Sequence, residues 1–257
     1  MTENFSLAQQ LRSGATVYSA WCRLAMPIVG ELLARHGFGA VTFDQQHGLF
    51  DLATTQAGIM AVHSVRAAPV VRIPVRDNAN ASRVLDAGAE AVIAPMIDSP
   101  EDAIAFAAAM KYPPIGMRSW GPHRALPFSG LSESDYLRKA NETTLAFAMI
   151  ETRAGFRNVA AILDTPGIDG VFVGPSDLSI TLSNGITQNP VLPEVETALD
   201  IICEAATAVG KIAGVHCVDA KRAVALARRG FRFLGVASDA GFLSLGAAAS
   251  LKVLQEK

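Results

Sequence analysis

Cysteine is scarce in this chain, with three in 257 residues. Cys22, Cys203 and Cys217 form no pair at metal or redox spacing, which argues against a disulfide framework and for a reducing cytoplasm. Long apolar runs are missing too, and none approaches the roughly 18 residues of a membrane span. Neither sign of charge dominates. The formal net charge is −2 without long blocks of like charge, which disfavours nucleic acid or an acidic membrane surface and favours a small-molecule partner. The opening MTENFSLAQQLRSG has neither the basic nor the apolar segment of a secretory signal. No GxGxxG follows the first apolar run, so a dinucleotide-binding fold is disfavoured.

What the chain does contain is apolar mass in short pieces. Half its residues are hydrophobic and 18% are charged, enough to bury a sizeable core. Eight β-branched runs recur: TVYSAW (16–21), AVTFD (40–44), APVVRIP (68–74), AVIAPMI (91–97), LAFAMIE (145–151), GVFVGPSD (170–177), KIAGVH (211–216) and FRFLGVAS (231–238). Alanine-rich stretches such as EDAIAFAAAMK and DAKRAVALARRG lie between them, with apolar positions every three or four residues and basic or glycine ends. Strands alternating with helices predict a parallel sheet covered on both faces. Eight units in about 250 residues fit one closed (β/α)8 barrel spanning 1–257. One insertion, YPPIGMRSWGPHRALPFSGL at 112–131, breaks the rhythm. Its length points to a functional loop or an interaction arm, with Arg118, His123 and Arg124 giving it a positive face.

A barrel of this type carries its chemistry where strands run into helices. The polar residues there are Trp21, Asp44, His47, Arg72, Glu151, Asp177 with the preceding GPS, and His216; Asp86 lies in the helix after the third strand. Glu151 ends the fifth strand and Asp177 lies three residues past the sixth. Together they offer hard oxygen donors to Mg²⁺ or Mn²⁺, although each could instead cap a helix or pair with an arginine. Arg72 stands in an apolar strand, so it must pair with an acid such as Asp44 or Glu151, or receive an anionic ligand. Asp44 and His47 share a loop, where an acid that orients the imidazole makes it a usable general base; Asp86 is a second candidate orienter. Otherwise His47 is merely solvated. The helix start at Gly174, Pro175, Ser176 and Asp177 suits a small carboxylate. Trp21 either walls the pocket or packs in the core, and His216 and Cys217 are compatible with packing alone.

Six stretches occur in one order: FDQQHG, VVRIP, VLDAGAEAVIAPMI, YPPIGMRSWGP, MIETRAGFRNV and GIDGVFVGPSDLS. In this they resemble the HpcH/HpaI aldolase family, metal-dependent pyruvate aldolases related to 4-hydroxy-2-oxoheptane-1,7-dioate aldolase. The resemblance implies a (β/α)8 barrel, a homohexamer built as a dimer of trimers, and a C-terminal helix exchanged between subunits. It implies a lyase that cleaves 4-hydroxy-2-oxo acids to pyruvate, or hydroxypyruvate, and an aldehyde. Glu151 and Asp177 match the metal ligands, for Mg²⁺ or Mn²⁺ with Co²⁺ or Zn²⁺ as substitutes. Arg72 matches the arginine on the pyruvyl oxygen, and His47 the catalytic histidine, paired with Asp86 and supported by Asp44. Trp21 matches a pocket tryptophan, and the 112–131 arm looks like one that helps build the neighbouring subunit's site. Two positions depart from the family pattern. Gln46 stands where glutamate precedes the histidine, and Met149 where a glutamine usually faces the site, which bears on substrate more than on reaction class.

Three alternatives remain open on the sequence. A Schiff-base aldolase needs a buried lysine at the active end of a strand. Lys111, Lys139, Lys211, Lys221, Lys252 and Lys257 offer none there, since Lys211 enters the seventh strand at the wrong end. A citrate-lyase-like enzyme acting on a thioester and a catalytically silent 2-oxo-acid binder are the others.

Overall fold

A computed structural model describes residues 7–256. The first six residues, which carry the start of the polar N-terminus, and Lys257 lie outside the described residues. Eight strands follow the predicted runs: β1 Val17–Cys22, β2 Ala40–Asp44, β3 Ala68–Arg72, β4 Ala91–Ala94, β5 Leu145–Ile150, β6 Gly170–Val173, β7 Ile212–Cys217 and β8 Phe233–Val236. Each pairs in parallel with the next, and β8 closes on β1 through Val17 opposite Phe233. The result is the expected (β/α)8 barrel.

The helices are α1 Leu7–Arg12, α2 Pro27–Arg35, α3 Leu52–Ser64, α4 Asn78–Asp86, α5 Pro100–Met110, α6 Ala125–Ser129 and α7 Glu133–Thr143. They continue with α8 Arg153–Arg157, α9 Val159–Asp164, α10 Pro175–Leu182, α11 Pro193–Ala208, α12 Ala220–Arg228 and α13 Asp239–Gln255. Side-chain oxygens of Asp51, Asp77, Ser99, Ser132, Thr152, Asp219 and Ser238 accept a first-turn amide at seven of these starts, which fixes where strands hand over to helices. Among the described residues no helix is long and apolar enough to cross a membrane.

The period of two in a strand decides what faces the barrel axis. On β5, Leu145, Phe147 and Met149 join the interior cluster, while Ala146, Ala148 and Ile150 join the layer beneath the helices. By the same alternation Trp21, Asp44, Arg72, Glu151 and His216 fall on interior-facing positions at or just past strand C-termini. Leu7, Ala8 and Leu11 of α1 pack into the other end of that interior, opposite the face that carries these polar residues.

The 112–131 insertion is less of a loop than expected. It includes α6, and Arg118 does not contribute to a positive outer face: it is buried, paired with Asp86, and stacked 4.7 Å from the Tyr112 ring centre. His123 and Arg124 remain exposed.

Candidate active site

The open end of the barrel holds a cavity of about 630 Å³. Trp21, Asp44, His47, Arg72, His216 and the Gly174–Asp177 turn line it. Asp44 and Arg72 are direct register partners on β2 and β3, which brings a buried carboxylate beside a buried guanidinium. Nε of Arg72 donates to Asp44 Oδ1 at 2.9 Å and Nη2 donates to Oδ2 at 2.6 Å. Trp21 Nε1 donates to the same carboxylate at 3.2 Å, and the backbone N–H groups of Gln46 and His47 at 3.0 and 3.2 Å. Burial alone would raise the Asp44 pKa. The hydrogen bonds and charge of Arg72 outweigh it and hold the carboxyl below its usual range. Arg72 therefore does pair with an acid, but Nη1 has no partner among the described residues. Its guanidinium also lies 5.1 Å from the Trp21 ring centre.

The role expected of Asp44 toward His47 changes in detail. Its carboxylate binds the backbone amide of His47, so it shapes the loop, whereas the exposed imidazole has no hydrogen-bond partner among the described residues. Asp86 is not brought to His47 within one chain. Its Oδ1 accepts from Arg118 Nη2 at 2.6 Å, its backbone carbonyl accepts from Arg124 N, and the insertion packs over it, away from the cavity.

Glu151 follows β5 and sits behind the cavity wall, only 2% exposed. Its Oε1 accepts from Met96 N at 2.9 Å. Met96 holds φ at +55°, a left-handed conformation that an unbranched non-glycine residue seldom adopts and that aims this amide inward. Gly174 caps the start of α10 in close contact with the site: a Cβ there would lie 2.7 Å from Glu151 Oε2 and 2.7 Å from Met149 Cε, so both side chains would have to shift. Burial pushes the Glu151 carboxyl up to about 7, with the charge of nearby Asp177 adding to it and the Met96 amide opposing. Asp177 is the third residue of α10, and its carboxylate has no ion-pair partner among the described residues. No group of three or more His, Cys, Asp or Glu able to hold a metal occurs among the described residues. A buried carboxylate next to an unpaired one nonetheless suits a hard dication that takes its remaining ligands from water and substrate.

Two wall residues carry more than the sequence reading allotted them. His216 donates from Nε2 to the Ala237 carbonyl at 3.2 Å and stands edge-on to Trp21, with 4.9 Å between ring centres. Burial pushes it down to about 4, against that hydrogen bond, so it is neutral at pH 7. Its shared parity with Gly214 and Ile212 on β7 was the available signal. Arg23, one residue beyond β1, was missed, although a cation directly after a strand end, two residues past Trp21, could have flagged it. The room for Trp21 comes from Gly235, where a Cβ would lie 2.8 Å from the indole.

Residues 18–244 match the family described as HpcH/HpaI aldolase/citrate lyase. The chain belongs to that family. Among its relatives, the hydroxypyruvate/pyruvate aldolase of Rhizorhabdus wittichii is 37% identical over 234 residues, covering 91% of this chain and 92% of that one. The 4-hydroxy-2-oxo-heptane-1,7-dioate aldolase of Salmonella dublin is 34% identical over 239 residues, covering 93% and 90%. A crystal structure of an HpcH/HpaI aldolase/citrate lyase family protein from Burkholderia cenocepacia J2315 superposes with a TM-score of 0.89 at 30% identity, covering 98% of this chain and 99% of that one. This member of the HpcH/HpaI family is thus an enzyme, a carbon–carbon lyase of the aldolase type. Membership brings a general dependence on a divalent cation, with which the Glu151 and Asp177 donor set is chemically compatible.

Proposed function

We propose that the barrel cavity cleaves 4-hydroxy-2-oxo acids to pyruvate, or hydroxypyruvate, and an aldehyde, and joins them in reverse. The supporting observation is the meeting, at one cavity, of Asp177 on its wall, Glu151 directly behind that wall, and an arginine locked on one side and free on the other. Glu151 and Asp177 would hold Mg²⁺ or Mn²⁺, with Co²⁺ or Zn²⁺ as substitutes. Bound there, the cation would supply Lewis-acid polarisation of the 2-oxo group.

The chain's own groups do the rest. Arg72, immobilised through Nε and Nη2, presents Nη1 to the oxygen that gains negative charge as the C3–C4 bond breaks and its electron pair becomes the enolate. The free N–H groups of Ser176 and Asp177, at the start of α10, receive the substrate carboxylate. Gly174 and Pro175 shape that turn, and Trp21 covers one face of the donor. His47 takes the proton of the C4 hydroxyl as the aldehyde leaves and delivers it to C3 of the enolate, which gives pyruvate; in the synthetic direction it takes a methyl proton from pyruvate and gives it to the aldehyde oxygen. Asp86, held by Arg118 away from its own chain's cavity, is assigned to His47 of a neighbouring copy. The assembly we propose is the homohexamer of the family, a dimer of trimers. The apolar side chains of α13 favour exchange between copies: Leu243, Leu245, Leu251, Val253 and Leu254 are each more than half exposed. An apolar groove of about 300 Å³ between the turn after α2 (His36, Gly37, Phe38) and α12 is a candidate seat for part of such a helix.

The test is release of pyruvate from a 4-hydroxy-2-oxo acid by chelator-treated protein given back Mg²⁺ or Mn²⁺. Turnover should need the cation. Because the cation must displace the proton that Glu151 keeps up to about 7, its affinity should rise about tenfold per pH unit below that value and level off above it. A titration with Mn²⁺ between pH 5.5 and 8.5 measures this; a flat profile would remove Glu151 from the ligand set.

A further inference from the structure

We infer that Arg23 is the acceptor-selecting residue of this cavity, and that the aldehyde it favours carries a carboxylate or another anionic group at its far end. The inference rests on the aldolase reading above and concerns the half of the reaction that reading leaves undefined.

The backbone of Arg23 is pinned on both sides. Its N–H donates to both carboxylate oxygens of buried Asp239, at 3.0 and 3.1 Å, and its carbonyl accepts from Leu49 N at 2.8 Å. Leu49 belongs to the loop that carries His47. The packing there is tight, since a Cβ on Gly48 would lie 3.1 Å from Arg23 Cα. The side chain lines the cavity and is exposed, and its guanidinium has no hydrogen bond or ion pair among the described residues. The other charges of the site are accounted for. Asp44 and Arg72 cancel each other, and Glu151 and Asp177 would be neutralised by a dication. Among the described residues that line the cavity, Arg23 is then the uncompensated charge.

Geometry says which substrate half meets it. The donor is provided for at the inner end, its enolate oxygen by Arg72 and its carboxylate by the α10 amides. The acceptor's oxygen must lie at His47, so its tail leaves along the side of the cavity that the His47 loop shares with Arg23. Ser238, Ser244 and Leu245 complete that wall. A planar guanidinium on a flexible stem can fork onto a terminal carboxylate there. The contact is exposed, so the discrimination it provides is about tenfold and weakens with salt.

The experiment compares 4-oxobutanoate with its neutral amide as acceptors for pyruvate, in wild type, Arg23→Gln and Arg23→Glu, with pyruvate methyl exchange in D₂O read in parallel. Wild type should favour the anionic acceptor about tenfold in kcat/KM at low salt, and less at 0.5 M salt. Arg23→Gln should level the two and Arg23→Glu should invert the preference. Wild type that exchanges pyruvate protons yet shows no preference, or variants that keep its preference, would overturn the assignment of Arg23 alone. Exchange that falls in Arg23→Gln as far as aldol turnover does would assign the residue to the donor and overturn it as well. No exchange in wild type would overturn the underlying aldolase reading and the inference together.

Discussion

Replacing Arg72 by alanine is expected to slow aldol turnover by about 10²–10³, the effect of deleting one donor aimed at a developing oxyanion. The same change should destabilise the fold by about 3–5 kcal/mol, because it leaves the Asp44 carboxylate buried without its cation. The two losses come from different atoms. Stability depends on the Nε and Nη2 bonds to Asp44, whereas catalysis is assigned to Nη1. Removing Asp44 as well should therefore restore part of the stability of Arg72→Ala without restoring turnover. Arg72→Lys, which keeps the charge but not the fork, should be more stable than Arg72→Ala and still slow. Urea melts and turnover measured well below the melting temperature separate the effects. The pair also has a pH signature. Asp44 is depressed in the fold, so its contribution is present above the ordinary carboxylate range and lost as pH falls through the depressed value. Near-normal turnover in Arg72→Ala would remove Arg72 from the chemistry.

Glu151→Gln should separate function from stability in the opposite sense. Cation affinity should fall by more than about 100-fold, beyond what loss of a mere supporting group costs, and turnover should fall with it. The metal-free fold should gain. Glu151 is raised in the fold from 4.5 to about 7, so the stability it contributes is present below 4.5 and is lost as pH rises through about 7. Glutamine keeps an acceptor for Met96 N–H and carries no charge. At pH 8 the metal-free variant should therefore be more stable than metal-free wild type, by up to about 3 kcal/mol. Melting curves at pH 5 and pH 8, with and without Mn²⁺, check this. At pH 5 the two proteins should converge, and the cation should stabilise wild type alone. A variant less stable than wild type at pH 8 would mean that Glu151 is held by a cationic partner, not strained by burial. A group that costs stability until it is liganded is what a cation site built from two carboxylates requires.

Much of this site could be read along the chain because it hangs on strand ends. AVTFD is β2 residue for residue, and a charge ending an apolar strand or standing inside one marks Asp44 and Arg72 without any knowledge of packing; that β3 stops at Arg72 is set by the fold. What could not be read are pairings across the barrel. Whether Arg72 meets Asp44 or Glu151 depends on register between β2 and β3. Asp86 reads as a free acid on α4 until Arg118, 32 residues later, folds back onto it. Arg23 looks like any exposed arginine after a strand. Its place on the cavity wall is set by Asp239, 216 residues away, and by a loop that tolerates only glycine at 48. Glu151 reads as a cavity carboxylate but lies behind Gly174, because a glycine with no Cβ lets the helix start pass directly over it. The insertion reads as a basic arm because sequence cannot tell a buried arginine from an exposed one.

The central claim is that this cavity makes the enolate of a 2-oxo acid, with a cation on Glu151 and Asp177 and proton movement at His47. Exchange of the pyruvate methyl hydrogens for deuterium, followed by NMR in chelator-treated protein with and without added Mg²⁺ or Mn²⁺, tests it without any assumption about the aldehyde. Exchange should appear only with the cation and should vanish in His47→Ala. Exchange that ignores the cation, or that persists in His47→Ala, would contradict the roles assigned to these residues. Its absence with every cation would contradict pyruvate as the donor.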